Sequence, residues 1–135
     1  MRGVLLFFIA SVAVFAAGGG ALRAQQQPVD GGAVARVQTV QLIMVDDPAC
    51  GYCKRWHRDV GAGYGRTAEG RAAPLQTVSR DAKILRNFAA VVYTPTFILV
   101  RDGREVGRIT GYPGQLFFWE ELASLMLSAG ITTKG

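Results

Sequence analysis

The sequence has few of the residues that proteins use to bind metals. Its 135 residues include one histidine and two cysteines, and all three lie in the stretch DDPACGYCKRWH. A structural zinc site needs about four ligands, so Cys50, Cys53 and His57 would need a carboxylate, a methionine or water to complete one. Attachment of a c-type haem requires a histidine directly after the second cysteine, and residue 54 is a lysine. We therefore expect neither a metal nor an organic cofactor.

The chain also lacks a large excess of one charge. The chain has fifteen basic and ten acidic residues, a net charge of +5. The basic residues are scattered, and they are not interleaved with aromatic residues in a stripe, so a nucleic-acid partner is disfavoured. The length and the ordinary globular composition fit one domain rather than two.

Long apolar runs are absent after the N-terminal region. One run, residues 4–17, follows a basic residue and precedes small residues, which is typical of a secretory signal peptide. We assign residues 1–24 to this peptide, with cleavage after Ala21 or Ala24. The run is shorter than the ~20 apolar residues of a membrane span, although an uncleaved anchor reaching Leu22 is an alternative. Export to the periplasm is the expectation, and it would let the two cysteines form a disulfide.

The rest of the chain predicts one α/β domain. Residues 25–35 are polar and rich in Gly and Pro, as expected of a flexible linker, and residues 36–130 form the domain. Strand and helix patterns alternate in the order β, α, β, α, β, β, α, which suits a parallel βαβ unit followed by an antiparallel hairpin. The expected strands are residues 36–45, 74–78, 91–100 and 105–111, and the expected helices begin near Cys50, after Asp81 as N-cap, and at Gln115.

The Cys-x-x-Cys spacing favours redox chemistry over a structural cross-link. A disulfide stabilises more when it closes a longer loop, and this pair closes a very short one. Cys50 is expected at a helix N-terminus, where free N–H groups and the helix dipole favour a thiolate, the attacking species in disulfide exchange. Cys53 shares an apolar helix face with Trp56 and Val60, so we expect it to be shielded. Three basic residues follow, and either they add positive charge beside Cys50 or they form a solvated helix face: Lys54, Arg55 and Arg58.

Pro95 interrupts the most strand-like run of the chain, VVYTPTFILV. Proline lacks the N–H group that a strand interior needs. Either a cis Thr94–Pro95 bond turns the chain before the strand begins, or a trans proline begins an edge strand. The sequence alone leaves these two alternatives equal.

Together, these residues resemble the thioredoxin superfamily. The match covers nearly the whole exported domain: a strand, a CGYC helix, YTPTFILV with Thr-Pro before a strand, a RDGREVGRI hairpin, GY and a closing helix. The resemblance implies a thioredoxin-like fold, a three-layer α/β/α arrangement with a mixed four-stranded central sheet. It also implies roles for six residues: attack by Cys50, resolution by Cys53, influence on the reduction potential by Gly51 and Tyr52, and substrate contact by Thr94 and Pro95.

Two groups within the superfamily compete. CGYCKRWH is similar to the active-site stretch of the periplasmic disulfide isomerases, but those proteins have a dimerisation domain and a longer catalytic domain. The stretches CGYCKRWHRDVGAGYGRTAEGRAAPL and TPTFILVRDGREVGRITGYPG are more similar to the SoxS-type periplasmic thioredoxins of bacterial sulfur-oxidation systems. That group is thought to keep thiol partners reduced, notably the sulfur-carrier protein. The resemblance implies a monomeric thiol-disulfide oxidoreductase that receives electrons from a membrane-embedded dithiol reductant.

One position departs from the superfamily. Thioredoxins usually carry a buried aspartate six residues before the first cysteine, where it helps to move the proton of the resolving thiol, and this chain has Met44 there. His57 is a candidate substitute as proton acceptor, or it is a surface histidine. Two other functions stay open: a disulfide isomerase, and a non-catalytic metal-binding or regulatory module that uses Cys50, Cys53 and His57. The direction of electron flow is open as well, because reduction potentials span about −270 to −120 mV across this fold.

Overall fold

The computed structural model describes residues 38–133. The predicted signal peptide, residues 1–24, and the predicted linker, residues 25–35, lie outside these residues. The described part covers most of the predicted domain, residues 36–130.

A mixed four-stranded sheet forms the centre of the domain. In chain order the strands are β1 (Val40–Asp46), β2 (Leu75–Ser79), β3 (Thr96–Arg101) and β4 (Arg104–Thr110). Their order in the sheet is β2-β1-β3-β4. β1 is parallel to β2 and antiparallel to β3, and β3 is antiparallel to β4. The predicted βαβ unit followed by a hairpin is confirmed.

Both faces of the two central strands are buried. Successive side chains of a strand point to opposite faces, so β1 and β3 each contribute to two separate apolar clusters. No side chain of either set is more than 6% exposed, and burial of this kind is the main stabilising contribution to such a domain. One face carries Leu42, Met44, Phe97 and Leu99, and the other carries Ile43, Val45, Ile98 and Val100.

The helical segments cover these two faces unequally. In chain order they are α1 (Gly51–Trp56), a π-helical turn (His57–Gly61), α2 (Ala62–Tyr64), α3 (Ala68–Ala72), a 3₁₀ turn (Lys83–Asn87) and α4 (Gln115–Ser128). α1 and α4 pack on the first face. Among residues 38–133, the second face meets only the 3₁₀ turn and the chain around it, through Ile84, Leu85, Phe88 and Val91. Within residues 38–133, none of the helices combines the length and the apolar character needed to cross a bilayer.

The helix faces follow the predicted pattern with one exception. Cys53, Trp56 and Val60 are buried as expected. In α4 the helical spacing of the sequence predicts Phe118, Leu122 and Leu125 as the buried face. Phe118 and Leu122 are buried, but the third buried position is Met126, and Leu125 is only partly buried.

Three local predictions were incomplete. Asp81 does not cap a helix, because its carboxylate accepts a hydrogen bond from the Ser79 hydroxyl, and a short 3₁₀ turn follows after Ala82. The third strand begins only after Pro95. The short helix α3 was not expected, although Thr67 caps it by accepting a hydrogen bond from the Gly70 N–H at 3.0 Å.

The hairpin turn between β3 and β4 is confirmed at Asp102 and Gly103. Both residues have positive φ angles, 51° and 77°, and Asp-Gly is the pair that tolerates this geometry in a two-residue hairpin. The Asp102 carboxylate also accepts a hydrogen bond from the Thr39 N–H at 3.1 Å. The turn is therefore tied to the start of β1.

Gly70 provides a test of how closely α3 packs on α2. A Cβ atom at Gly70 would lie 1.9 Å from the Tyr64 carbonyl oxygen, so we expect Gly70→Ala to lower the free energy of unfolding by about 1–3 kcal/mol or more. The matched control is Gly63→Ala, where a Cβ meets nothing within 4 Å and where we expect a gain of about 0.5–1 kcal/mol. Urea unfolding of the dithiol form measures both. Equal stability of Gly70→Ala and the parent would contradict this packing.

Candidate active site

The cysteine pair lies where β1 ends and α1 begins. The turn between them is held by the Asp47 side chain, which accepts a hydrogen bond from the Ala49 N–H at 2.9 Å, and by the Asp47 carbonyl, which accepts one from the Cys50 N–H at 2.9 Å. This turn leaves Cys50 as the N-cap residue of α1. Both cysteines are free thiols.

Cys50 is half-buried and surrounded by hydrogen-bonding groups. Its Sγ accepts a hydrogen bond from the Cys53 N–H at 3.2 Å, so the sulfur itself caps the helix. Partial burial alone would raise the pKa of Cys50, but hydrogen bonds from Cys53, from Thr94 and from the Tyr52 backbone outweigh burial and hold this pKa below its ordinary value. Cys50 is therefore the sulfur that ionises more easily.

Cys53 has the opposite environment. Its side chain is 1% exposed and belongs to the apolar cluster that contains Met44 and Trp56. Burial, a hydrogen bond with Cys50 and the nearby Asp46 carboxylate raise the pKa of Cys53 to about 12. The same Cys-x-x-Cys turn thus gives one thiol that is ready to ionise and one that keeps its proton.

The loop before β3 faces the cysteine pair. The Thr94–Pro95 peptide bond is cis, which is the first of the two alternatives that the sequence left open. The Cys50 Sγ lies 3.3 Å from the Thr94 carbonyl oxygen, and the Pro95 carbonyl oxygen accepts a hydrogen bond from the Gly111 N–H at 2.7 Å. Thr94 and Pro95 therefore lie between Cys50 and the loop that follows β4.

Two arginines fix the chain that leads into this loop. Arg108 donates to the carbonyl oxygens of Ala90 and Ala89 at 3.2 and 3.0 Å, and a salt bridge to Glu105 holds its guanidinium in place. Arg80 donates to the Val92 carbonyl oxygen at 3.0 Å. A segment without regular secondary structure is thereby tied to the sheet.

An open groove of about 480 Å³ runs beside Cys50. Aromatic side chains form much of it, and Tyr52 and Tyr93 are 60% and 67% exposed. Such a concentration of exposed aromatic surface in a small domain is typical of a binding surface. The lining residues are Tyr52, Tyr93, Thr94, Thr110, Gly111, Tyr112, Pro113 and Phe117.

The basic residues of the helix do not lower the pKa of Cys50, although added positive charge beside Cys50 was one of the two alternatives that the sequence left open. Arg55 and Arg58 approach the Asp59 carboxylate at 3.5 and 3.4 Å, and Arg55 also lies over the Tyr112 ring. None of them is among the groups that lower the pKa of Cys50. The sulfur is stabilised by the helix start and by Thr94, and the arginines belong to a separate surface cluster.

His57 is paired with a residue to which the sequence assigned no role. Its Nε2 lies 2.8 Å from Oδ2 of Asp46, the last residue of β1. His57 itself lies one helical turn beyond Cys53. Asp46 ends β1 and His57 directly follows α1, so no periodicity within one helix or strand relates them, and only the angle between β1 and α1 could have indicated this pair. Among residues 38–133, no group of three or more His, Cys, Asp or Glu side chains has a geometry that could hold a metal ion.

The sheet topology and the cysteine pair facing a proline loop define a class of protein. The sequence profile of the thioredoxin-like domain family matches residues 33–124, and the chain belongs to this family. Membership supports thiol-disulfide oxidoreductase chemistry. None of the curated proteins compared with the chain matches it significantly.

Among solved structures, the chain is similar to the periplasmic thioredoxin SoxS from Paracoccus pantotrophus in its reduced form. The two share 39% sequence identity with a TM-score of 0.64, and the match covers 67% of this chain and 99% of the SoxS chain. The resemblance to SoxS-type thioredoxins that the motifs predicted is therefore confirmed.

Alkylation by iodoacetamide tests the difference between the two thiols. We expect Cys50 to react with a pH midpoint below that of an ordinary cysteine, and Cys53 to stay unmodified up to about pH 10, because burial raises its pKa to about 12. Thr94→Val should move the Cys50 midpoint to higher pH because it removes one stabilising hydrogen bond. Thr110→Val, the same change elsewhere in the groove, should not.

Mass spectrometry of the alkylated protein identifies which sulfur has reacted at each pH. A Cys50 midpoint at or above that of a free cysteine, or equal reaction of the two thiols, would contradict the environments described for them.

Proposed function

We propose that this protein is an exported thiol-disulfide oxidoreductase that exchanges the Cys50–Cys53 dithiol with a disulfide of a partner protein. The observation that supports it best is the contrast between the two sulfurs. Cys50 is half-buried, has a lowered pKa and lies 3.3 Å from the Thr94 carbonyl, whereas Cys53 is buried with a pKa of about 12. An accessible thiolate beside a shielded thiol is the arrangement that sequential disulfide exchange requires.

The exchange has two steps. The Cys50 thiolate attacks one sulfur of the partner disulfide, the partner S–S bond breaks, and the other partner sulfur leaves as a thiolate. Cys53 then loses its proton and attacks the Cys50 sulfur, which forms the Cys50–Cys53 disulfide and releases the second partner sulfur as a thiolate. Two electrons pass to the partner, and another dithiol protein must return them before the next cycle.

The groove beside Cys50 is the surface on which a partner would lie. Tyr52, between the two cysteines, and Tyr93 border it, and both are largely exposed. In this proposal Thr94 and Pro95 contact the backbone of the bound segment, Gly51 and Tyr52 tune the reduction potential, and His57 takes part in proton movement at Cys53.

The N-terminal sequence and the relative support a periplasmic setting. SoxS is a periplasmic thioredoxin, and residues 1–24 have the pattern of an export signal. We propose that the domain acts in the periplasm, and that it acts there as a monomer. There it would keep proteins of sulfur oxidation reduced, including a sulfur-carrier protein, with electrons from a membrane-embedded dithiol protein.

Serine variants of the two cysteines test the roles of Cys50 and Cys53. Cys50→Ser and Cys53→Ser should each lower the rate of insulin reduction by at least about a hundredfold, because catalytic exchange needs both an attacking and a resolving thiolate. Cys53→Ser should also trap a mixed disulfide on Cys50, which non-reducing electrophoresis and mass spectrometry would detect.

Undiminished turnover by both serine variants would overturn the proposal. The isomerase alternative makes a different prediction, because rescue of scrambled disulfides can proceed from a single attacking thiol. A Cys53→Ser variant that rescues scrambled ribonuclease as well as the parent, together with a dimer in sedimentation, would favour that alternative.

Phe117→Ala tests the groove. Phe117 lies at the start of α4, is 45% exposed and lines the groove. We expect kcat/KM for insulin to fall about three- to tenfold, since burial of one aromatic side chain contributes about 1 kcal/mol or more to binding. The rate with a small aromatic disulfide should stay near that of the parent.

Leu127→Ala is the matched control for Phe117→Ala. Leu127 is an exposed apolar residue of the same helix, and ten residues along a helix correspond to about 15 Å. Equal effects of the two variants on insulin reduction would show that the groove is not where the partner lies.

A further inference from the structure

The loop between β4 and α4 forms one wall of the open groove. Gly111, Tyr112 and Pro113 all line the groove, and Phe117 continues this wall into α4. Two glycines with positive φ angles flank the loop, Gly111 at 85° and Gly114 at 154°. Because glycine restricts the backbone less than any other residue, the shape of this wall depends on side chains that hold the loop in place.

Tyr112 is the side chain that anchors the loop. It is 2% exposed, its ring packs edge-on against Phe118 with centroids 6.3 Å apart, and the guanidinium of Arg55 lies 5.9 Å from the ring centroid. The hydroxyl donates a hydrogen bond to Asp59 Oδ2 at 3.2 Å. Burial and the Asp59 carboxylate raise the pKa of Tyr112, so the hydroxyl keeps its proton and remains a donor at neutral pH.

Asp59 is held by a basic residue at each oxygen of its carboxylate. It lies in the π-helical turn after α1, where Arg55 Nε approaches Oδ2 at 3.5 Å and Arg58 Nε approaches Oδ1 at 3.4 Å. Ion pairs as exposed as these contribute little to stability. They do fix the orientation of the carboxylate that accepts the hydrogen bond from Tyr112.

The hydrogen bond between Asp59 and Tyr112 links the segment that carries the sulfurs to the far wall of the groove. α1 begins directly after Cys50, and the π-helical turn that contains Asp59 follows α1 without a break. At its start, the same wall is tied to the proline loop, because the Gly111 N–H donates to the Pro95 carbonyl oxygen at 2.7 Å. Tyr112 therefore determines where the rest of the wall lies relative to Cys50.

We propose that Asp59 is a positioning residue that fixes the groove wall through its hydrogen bond to Tyr112, and that this bond sets how tightly a partner protein is held beside Cys50. This inference deepens the dithiol exchange proposed above and rests on it. The hydrogen bond itself transfers no electrons. Its loss should therefore weaken the binding of an extended partner segment more than it slows the reaction of Cys50 with a small disulfide that does not fill the groove.

Tyr112→Phe is the sharpest test, because it removes the hydroxyl, keeps the ring and changes no charge. Its matched control is Tyr64→Phe. Tyr64 is also buried, and its hydroxyl donates a hydrogen bond of 2.8 Å to the Ala73 carbonyl oxygen, away from the groove. Each variant loses one hydrogen bond of a buried tyrosine, so urea unfolding should show comparable losses of stability. Only Tyr112→Phe should change the binding of a partner.

Insulin and 2,2′-dithiodipyridine serve as the large and the small disulfide. In Tyr112→Phe we expect the KM for insulin, with dithiothreitol as reductant, to rise about three- to tenfold with kcat near that of the parent, as the loss of one hydrogen bond implies. The single-turnover rate of the reduced protein with 2,2′-dithiodipyridine should fall by less than about twofold, because this small uncharged molecule makes few contacts with the wall.

Asp59→Ala and the double variant test whether Asp59 acts through Tyr112. Asp59→Ala should raise the KM for insulin as Tyr112→Phe does. Insulin is acidic, so the loss of a carboxylate would by charge alone have the opposite effect. The double variant should match the more affected single variant, because the two residues contribute one shared hydrogen bond.

The outcomes separate this inference from the proposed function. A Tyr112→Phe variant with the parent's KM for insulin, or an equal rise of KM in Tyr64→Phe, would overturn the positioning role alone. So would a double variant whose effect is the product of the two single effects. A parent protein that reduces neither disulfide would overturn the dithiol exchange itself, and this inference with it.

Discussion

The hydrogen bond from the Cys53 N–H to the Cys50 sulfur is the contact on which the site depends. A helix start has N–H groups without partners, and here the acceptor is a sulfur that becomes more stable as it ionises. Because β1 is a central strand next to β3, the helix begins directly opposite the loop that enters β3. Capping of the helix, the order of the strands and the reactivity of Cys50 are therefore consequences of one arrangement.

The contrast between the two cysteines comes from position along a single helical turn. Cys50 lies at the rim of the sheet, where the groove and the proline loop meet, and Cys53 lies three residues later over the apolar face with Met44 and Trp56. Two identical side chains thus receive opposite pKa shifts from the same backbone. A structural disulfide would need no such difference, so the contrast between the two thiols supports a redox role for the pair.

The sequence predicted those features that depend on local pattern. The apolar runs of β1 and β3, the Asp-Gly turn at 102–103 and the buried face of Cys53, Trp56 and Val60 follow from residue type, periodicity and turn chemistry. Features that depend on tertiary geometry were not predictable. The Asp81 carboxylate accepts a hydrogen bond from the Ser79 hydroxyl and therefore does not cap a helix. The contact between Asp46 and His57 depends on the angle at which α1 leaves β1.

The thin layer on one side of the sheet determines which part of the site would open first. Within the described residues 38–133, only a 3₁₀ turn and irregular chain shield that side, and this same chain continues into Thr94 and Pro95. Segments with few buried contacts open at lower free energy than the core. Transient local opening of this layer would move Thr94 away from Cys50 while the helix cap stayed intact. Binding of a partner would therefore be lost before the reactivity of Cys50.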